Sequence, residues 1–584
     1  MADGRAGSEA SPVIKDAYEL RILRELTSDE GRAEHDAGVR AALALAHMIF
    51  LAQQKARGTR VSGAAAADIL RQCITRLHRV EVPSRHQYFG RYQWLWYLRR
   101  VPNLAFAGRL ASTLPYDRAL TEALAFAAAR PAVARRIGDL EGHFPVTGRE
   151  VRAVAWLIGY ARTVAHLHAS YRRCGKGARL ILDAMRLLAE DSGLTECDAE
   201  TAAAIEIYDH RLDASGAENF FGSDVVRIAP GSVLDGPGDH LRLFSRVATD
   251  DVTDVQLANG KPWMFRYIPH DLIIDELVNL IADPRLAEPC LWPRDITDTL
   301  GIIVLGGVVT QVDVAPEGGL VNTKTATGCG YVVIHEDTLR ETWAGPFRQA
   351  MISLSDRFPA WAHQLDPDLL TLLRRAMAMH SESWPLRGHA LAFQALPEHI
   401  GIDLAGAASR FLSAVRYPPL DGAVANARAD MFERRVQARI DASQWLPPAS
   451  LSQIRGRHLR HEGGKPFGEI DALAVRDGVC LVVSCKSKLY TDGHEVGDFR
   501  AIRSAEQKVT EAMAECDAFV EQLRAAPTGA NYDLRGLQLH GVVVTPHVFF
   551  VRQPAVDLLT LPGLRAYSTL AELQAWLDSA PAGA

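Results

Sequence analysis

Between Gly468 and Lys488 the chain reads GEIDALAVRDGVCLVVSCKSK. Glu469 and Asp471 stand two residues apart, and so do Ser484, Lys486 and Lys488. In an extended strand, residues two apart share a face. Asp477-Gly478 lies between two apolar runs, which is a hairpin turn signal. Folded on that turn, the stretch brings two carboxylates, a hydroxyl and two ammonium groups to one end of a small sheet. Carboxylates gathered this way suit a hard divalent cation. Lysine, a compact point charge, suits a phosphate. The chain holds only nine lysines, and four of them (Lys465, Lys486, Lys488 and Lys508) fall in this region.

The elements that must position these groups are legible around them. Ala423–Asp441 reads as a helix with Met431, Phe432, Val436 and Ile440 on its apolar face, ended by Trp445-Leu446-Pro447-Pro448. Ile454–His461 reads as a strand, followed by the hairpin. Asp498–Leu523 is a long helix, Leu537–Thr545 a buried strand and Thr569–Leu577 a closing helix. The expected order is α-β-β-β-α-β-α. Arg428, Arg434, Arg435, Arg439, Arg455, Arg457 and Arg460 outnumber nearby acids. They predict a local basic surface for a nucleic-acid backbone, with Arg434, Arg435, Arg455, Arg457 and Lys488 as its main candidates.

On these residues the C-terminal part resembles the PD-(D/E)xK (restriction-endonuclease-like) nuclease superfamily. The resemblance rests on Asp471 with its Gly468-Glu469-Ile470 lead-in, on Ser484-Cys485-Lys486, and on Phe432-Glu433 of the preceding helix. It implies a short mixed sheet flanked by helices, with a metal at one sheet end. Asp471 would be the main ligand of Mg2+ or Mn2+. Glu433 would bind the metal or place a metal-bound water, and Lys486 would orient the nucleophile or stabilise the phosphorane. Ser484 departs from the pattern, which has Asp or Glu there. Glu469 could reach in to replace the missing carboxylate. The acid could instead come from the next helix, as in a Ser-x-Lys…Arg…Glu variant; here Arg503 and Glu506 follow, at a longer spacing. A third reading is a decayed site that binds nucleic acid, or acts as a scaffold, without cutting. The resemblance implies a metal-dependent nuclease with DNA as partner and RNA as the weaker alternative. A role in bacterial defence against foreign DNA is an association with that class.

Composition sets bounds. The 584 residues are enough for three or four domains, and the net charge of −6 advertises no overall affinity for nucleic acid. The eight cysteines form no CxxC pair, so reduced thiols in the cytoplasm are expected. The N-terminus shows no signal-peptide core, and no apolar run is long enough to span a membrane. Arginine-for-lysine usage and abundant alanine suggest a bacterial, GC-rich coding bias.

The expected organisation is a disordered tail over 1–14, an all-α domain over 15–204, an α+β domain over 205–338, a helical segment and linker over 339–420, and the α/β nuclease-like domain over 421–584. Within the all-α region, helices are expected at Tyr116–Arg130, Arg149–Tyr171 and Ala178–Glu190. Arg85–Arg100 is dense in aromatics and arginine, which can stack on bases or fill a bundle core. Cys174-Gly175-Lys176-Gly177 lacks the spacing of a phosphate loop. Candidate strands of the α+β region are His240–Val247, Trp263–Ile268, Gly301–Val314 and Gly330–His335. The region upstream of 421 would recognise a target, a regulatory state, a second copy or a partner subunit.

Overall fold

The computed structural model describes residues 28–78, 148–183, 194–214, 225–226, 242–247, 267–271, 294–310, 331–357, 366–378, 393–396, 399–404, 407, 423–488, 493–494 and 497–579. The expected tail, the Arg85–Arg100 stretch and the helix at Tyr116–Arg130 lie outside the described residues.

The N-terminal part is helical. Helix α1 (Asp29–Arg57) starts at Ser28, whose hydroxyl accepts from Gly31 N at 3.1 Å, with Asp29 and Glu30 in its first turn. Both features suit a helix N-terminus. Strand β1 (Arg60–Val61), helices α2 (Gly63–His78) and α3 (Gly148–Gly175), strands β2 (Arg179–Ile181) and β3 (Thr195–Glu196) and helix α4 (Ala199–Ala214) follow. Helices α1 and α3 approach at backbone distance: a Cβ on Gly38 would meet Trp156 O at 2.0 Å, and one on Gly159 would meet His35 O at 2.0 Å. Two expectations need correction here. The chain leaves α3 through Gly177 at φ +117° and enters strand β2, not a helix from Ala178. Helix α4 runs unbroken across the boundary expected at 204/205.

In the middle of the chain, β4 (Val225–Val226), β5 (Arg242–Val247) and β6 (Tyr267–Asp271) form one sheet. The run Gly301–Val314, expected as a strand, lies largely in helix α5 (Arg294–Val309). Residues 301–310 are buried all round, so they show no amphipathic period, and the sequence alone does not separate a buried helix from a buried strand. Strand β7 (Tyr331–His335) leads through a π-helical turn at Leu339–Trp343 into α6 (Ala344–Arg357), and then α7 (Leu369–Ala378). Arg375 ties α7 to α5 by donating from Nε and Nη2 to Asp298, at 3.0 and 2.7 Å to Oδ1. The segment expected as helix and linker over 339–420 contains β8 (Phe393–Leu396) and β9 (His399–Asp403), which join β7 in a sheet of order β7-β9-β8.

The C-terminal part combines mixed sheets and helices. Helix α8 (Ala423–Asp441) is followed by a two-stranded ribbon, β10 (His458–Arg460) with β11 (Pro466–Glu469). Next come the hairpin β12 (Ala472–Arg476) and β13 (Val479–Cys485), then helix α9 (Phe499–Ala525) and strand β14 (Gln538–Thr545). Strands β15 (Leu559–Leu561), β16 (Leu564–Arg565) and β17 (Tyr567–Thr569) and helix α10 (Leu570–Ser579) close the chain. The main sheet has the order β12-β13-β14-β17, antiparallel across the hairpin and parallel elsewhere. Asp477 and Gly478 take φ of 50° and 81°, the paired positive values of a tight hairpin turn. One face of the sheet (Ala472, Ala474, Leu481, Val483, Val542) packs on Phe432, Val436 and Ile440 of α8 and Leu573 of α10. The opposite face packs on α9 through Val509, Cys516, Val520 and Leu523.

The upstream helices share a core with this part. Ala204, Ile205 and Tyr208 of α4 cluster with Ile502, Val548, Phe550 and Val556. A Cβ on Gly175 would fall 2.2 Å from Gly497 O. Tyr171 Oη donates to Asp498 Oδ2 at 3.5 Å, beside the α9 N-terminus that Asp498 caps.

Candidate active site at the end of the hairpin

Asp471 sits just before β12, opposite the end of β13. Its Oδ2 accepts from the backbone amide of Cys485 at 2.7 Å. Lys486 continues β13 by donating its amide to Val544 O at 2.9 Å, and Lys488 N then donates to Lys486 O at 2.7 Å. Ser484 and Lys486 are both half-buried at this strand end.

Glu433 reaches the same place from α8. Strand β12 is an edge strand, so the outward amide and carbonyl of Leu473 need partners. Gln437 supplies both: its Oε1 accepts from Leu473 N at 2.8 Å and its Nε2 donates to Leu473 O at 3.3 Å. Four helix residues rise about 6 Å, and two strand residues advance about 6.6 Å. Stepping back four residues on α8 from Gln437 gives Glu433; stepping back two from Leu473 gives Asp471. Gln437 therefore sets the register that aligns the two carboxylates. It was absent from the sequence reading, although its i+4 spacing from Glu433 was a usable signal.

The electrostatics report the convergence. Burial, followed by the charges of Asp471, Asp430 and Glu469, pushes Glu433 up to about 7, against the pull of Lys486. Asp471 is also raised, first by burial and then by Glu469, against the Cys485 amide and Lys486. Neither carboxylate has an ion-pair partner among the described residues. Their charge is held partly out of water and only partly offset by Lys486 and the Cys485 amide, a burden that a cation would relieve. Among the described residues no three His, Cys, Asp or Glu side chains are grouped closely enough to hold a metal unaided. A Mg2+ ion asks for less, since one or two carboxylates plus waters and substrate phosphate suffice. Glu433 and Asp471 fit that requirement.

The other expected site residues fall as follows. Glu469 ends β11, in a different sheet from β12. It and Asp471 thus do not share one continuous strand face, because the ribbon pairing with β10 ends at Glu469 and the chain turns before Ala472. Glu469 is exposed and 3.8 Å from His458, yet its charge reaches both site carboxylates. Glu506 lies on α9 with its carboxylate bound to Arg503 and, at 3.0 Å, to Arg552 Nε. Arg455 is engaged by Asp441, donating to its two oxygens at 2.9 and 3.0 Å. Arg434, Arg435 and Arg457 are exposed. Lys488 is half-buried with Nζ 5.9 Å from the Phe549 ring centre; burial, then Lys508, brings it down to about 8.

Compared with known protein families, curated proteins and solved structures, the chain matches none. No helix among the described residues is long and apolar enough to cross a membrane.

Proposed function

We propose that this protein is a metal-dependent nuclease of the PD-(D/E)xK type, with DNA as its substrate. The observation that carries the reading is the convergence of Glu433 and Asp471, from a helix and a strand, beside Lys486 at one end of a mixed sheet. The order β12-β13-β14-β17, with α8 and α10 on one face and α9 on the other, supports a restriction-endonuclease-like core. Asp471 and Glu433 would hold Mg2+ or Mn2+, which when bound supplies a more acidic water and neutralises phosphate charge. Asp471 is held in place by the Cys485 amide, so its remaining oxygen points a fixed ligand at the site. Lys486 stands where it orients the attacking water or steadies the phosphate. Lys488 contacts a neighbouring phosphate.

Free Cys73, Cys174, Cys197, Cys480, Cys485 and Cys516 support a reducing, cytoplasmic setting. Defence against foreign DNA is the role this class would serve with so large an upstream region, which could also bring two copies or a partner subunit together.

Ser484 in place of an acid favours a second reading, in which the domain binds nucleic acid without cutting it. One experiment separates the two: incubate plasmid and linear DNA with the protein in Mg2+ or Mn2+, wild type beside Asp471→Ala and Lys486→Ala. Cutting lost in both variants supports the nuclease. Binding without cutting by the wild type supports the second reading. Cutting that survives both substitutions overturns the assigned site.

A further inference from the structure

Hydrogen bonds and a final ring contact connect the upstream helices to the basic edge of the site. Arg211 of α4 is only 4% exposed. Its guanidinium donates to Glu572 twice, Nε to Oε1 and Nη2 to Oε2, both at 2.8 Å. Nη2 also donates to the Tyr567 carbonyl at 3.2 Å, and the guanidinium lies 4.6 Å from the Tyr567 ring centre. Burial works against the Arg211 charge, but the Glu572 bonds outweigh it and hold the group charged. Glu572 is itself fixed in a reciprocal cap, accepting from Thr569 N at 2.7 Å while its own amide donates to Thr569 Oγ1 at 3.2 Å.

The next link is the Tyr567 hydroxyl, fully buried under β14. It accepts from Phe549 N at 2.6 Å and donates to His547 O at 3.1 Å. These two bonds fix the backbone of the segment that follows β14. Phe549, itself buried, then packs with Ala505, Val509 and Ala512 of α9, and Lys488 Nζ lies 5.9 Å from the centre of its ring. His494 stands edge-on to the same ring at 5.0 Å. Among the described residues, Lys508 on α9 bears on Lys488 and Lys176 on the α3 exit bears on His494, and Lys176 is tied to Asp209 at 3.0 Å. Lys488 has no carboxylate partner among the described residues. An ammonium group held over an aromatic face and partly out of water is disposed to take an anion.

We propose that Arg211, contributed by the upstream region, is a positioning residue for the basic side of the site: through Tyr567 it holds Phe549 where Lys488 rests. The placement of Lys488 is a matter of geometry alone; its consequence for substrate binding rests on the nuclease reading. On this view the upstream helices are a working part of the catalytic end as well as whatever they recognise.

The test uses the full chain and the small number of lysines, nine in all. Reductive 13C-methylation makes each lysine visible by NMR, and Lys488→Arg assigns the signal of Lys488. The wild-type Lys488 should titrate near 8. Arg211→Met should move it toward the ordinary lysine value, and so should Tyr567→Phe, which removes only the hydroxyl and leaves the interface filled. Arg211→Met/Glu572→Leu guards against loss of fold, because it leaves no buried carboxylate without a partner. In parallel, metal-free binding to duplex DNA should weaken in Arg211→Met as in Lys488→Ala, and the slope of log K against log salt should fall by about one. Arg211→Met added to Lys488→Ala should cause no further loss. A folded Arg211→Met/Glu572→Leu or Tyr567→Phe protein with an unmoved Lys488 titration overturns the proposal. A moved titration in a protein that binds no DNA upholds the positioning role and counts against the nuclease.

Discussion

The backbone amide of Cys485 donates to Asp471 Oδ2 at 2.7 Å, so the end of one strand holds the carboxylate that begins the other. An Asn at this position keeps an oxygen acceptor and loses the charge. On the nuclease reading, Asp471→Asn should therefore melt close to wild type while losing cleavage. Loss of groups that merely support metal ligands already costs about 10–100-fold, so loss of the ligand itself should exceed that. Asp471→Leu leaves the Cys485 amide without an acceptor and should cost about 1–3 kcal/mol as well. Equal melting temperatures for the two variants would count against the clamp.

Glu433 gives the site a pH signature. In the folded, metal-free protein it keeps its proton up to about pH 7, whereas an unfolded glutamate releases it near the ordinary value of 4.5. Between those values the folded state binds more protons, so stability falls as pH rises through the window. Above it, the charged pair is ready for a cation. Mg2+ should raise the melting temperature more at pH 8 than at pH 5.5, and Glu433→Gln should flatten both the pH dependence and the Mg2+ effect. Thermal melts across pH with and without Mg2+ read this directly.

Gln437 should matter to a site it does not touch. Gln437→Leu removes both bonds to the edge of β12 and should destabilise the fold by about 1–3 kcal/mol, since Leu473 N and O lose their partner. It should also weaken Mg2+ binding by freeing α8 to slide against β12. Denaturant unfolding gives the first quantity and calorimetric Mg2+ titration the second. An unchanged Mg2+ affinity would mean that α8 is held in register by its apolar face alone.

Glu506 is committed to Arg503 and Arg552, so its expected role is structural. Glu506→Gln should lower stability by about 1 kcal/mol and leave Mg2+ affinity unchanged. A drop in Mg2+ affinity without a drop in stability would restore it as a metal ligand supplied from the helix.

Much of the C-terminal architecture was legible because its signals are local. Asp477-Gly478 announces its own turn, and the apolar faces of α8 and α9 repeat at helical spacing. What escaped depends on distant partners. The alternation through Glu469 and Asp471 suggested one strand; the pairing of β11 with β10 ends the first strand before Asp471, and no local pattern records that. Residues 301–309 are apolar throughout, so burial on every side erased the period that would have marked a helix. Arg211 and Glu572 are 361 positions apart, and nothing in either neighbourhood points to the other.

Ala204, Ile205 and Tyr208 fill a core whose other half is Ile502, Val548, Phe550 and Val556. The unit that can be inherited, transplanted or cut out whole is therefore not the stretch after residue 421. A fusion made at that junction would expose an apolar face and strand the Glu572 carboxylate. A graft that carries α4 and α3 along with the C-terminal part keeps this seam closed, and because α3 packs on α1 at backbone distance it has to carry α1 as well.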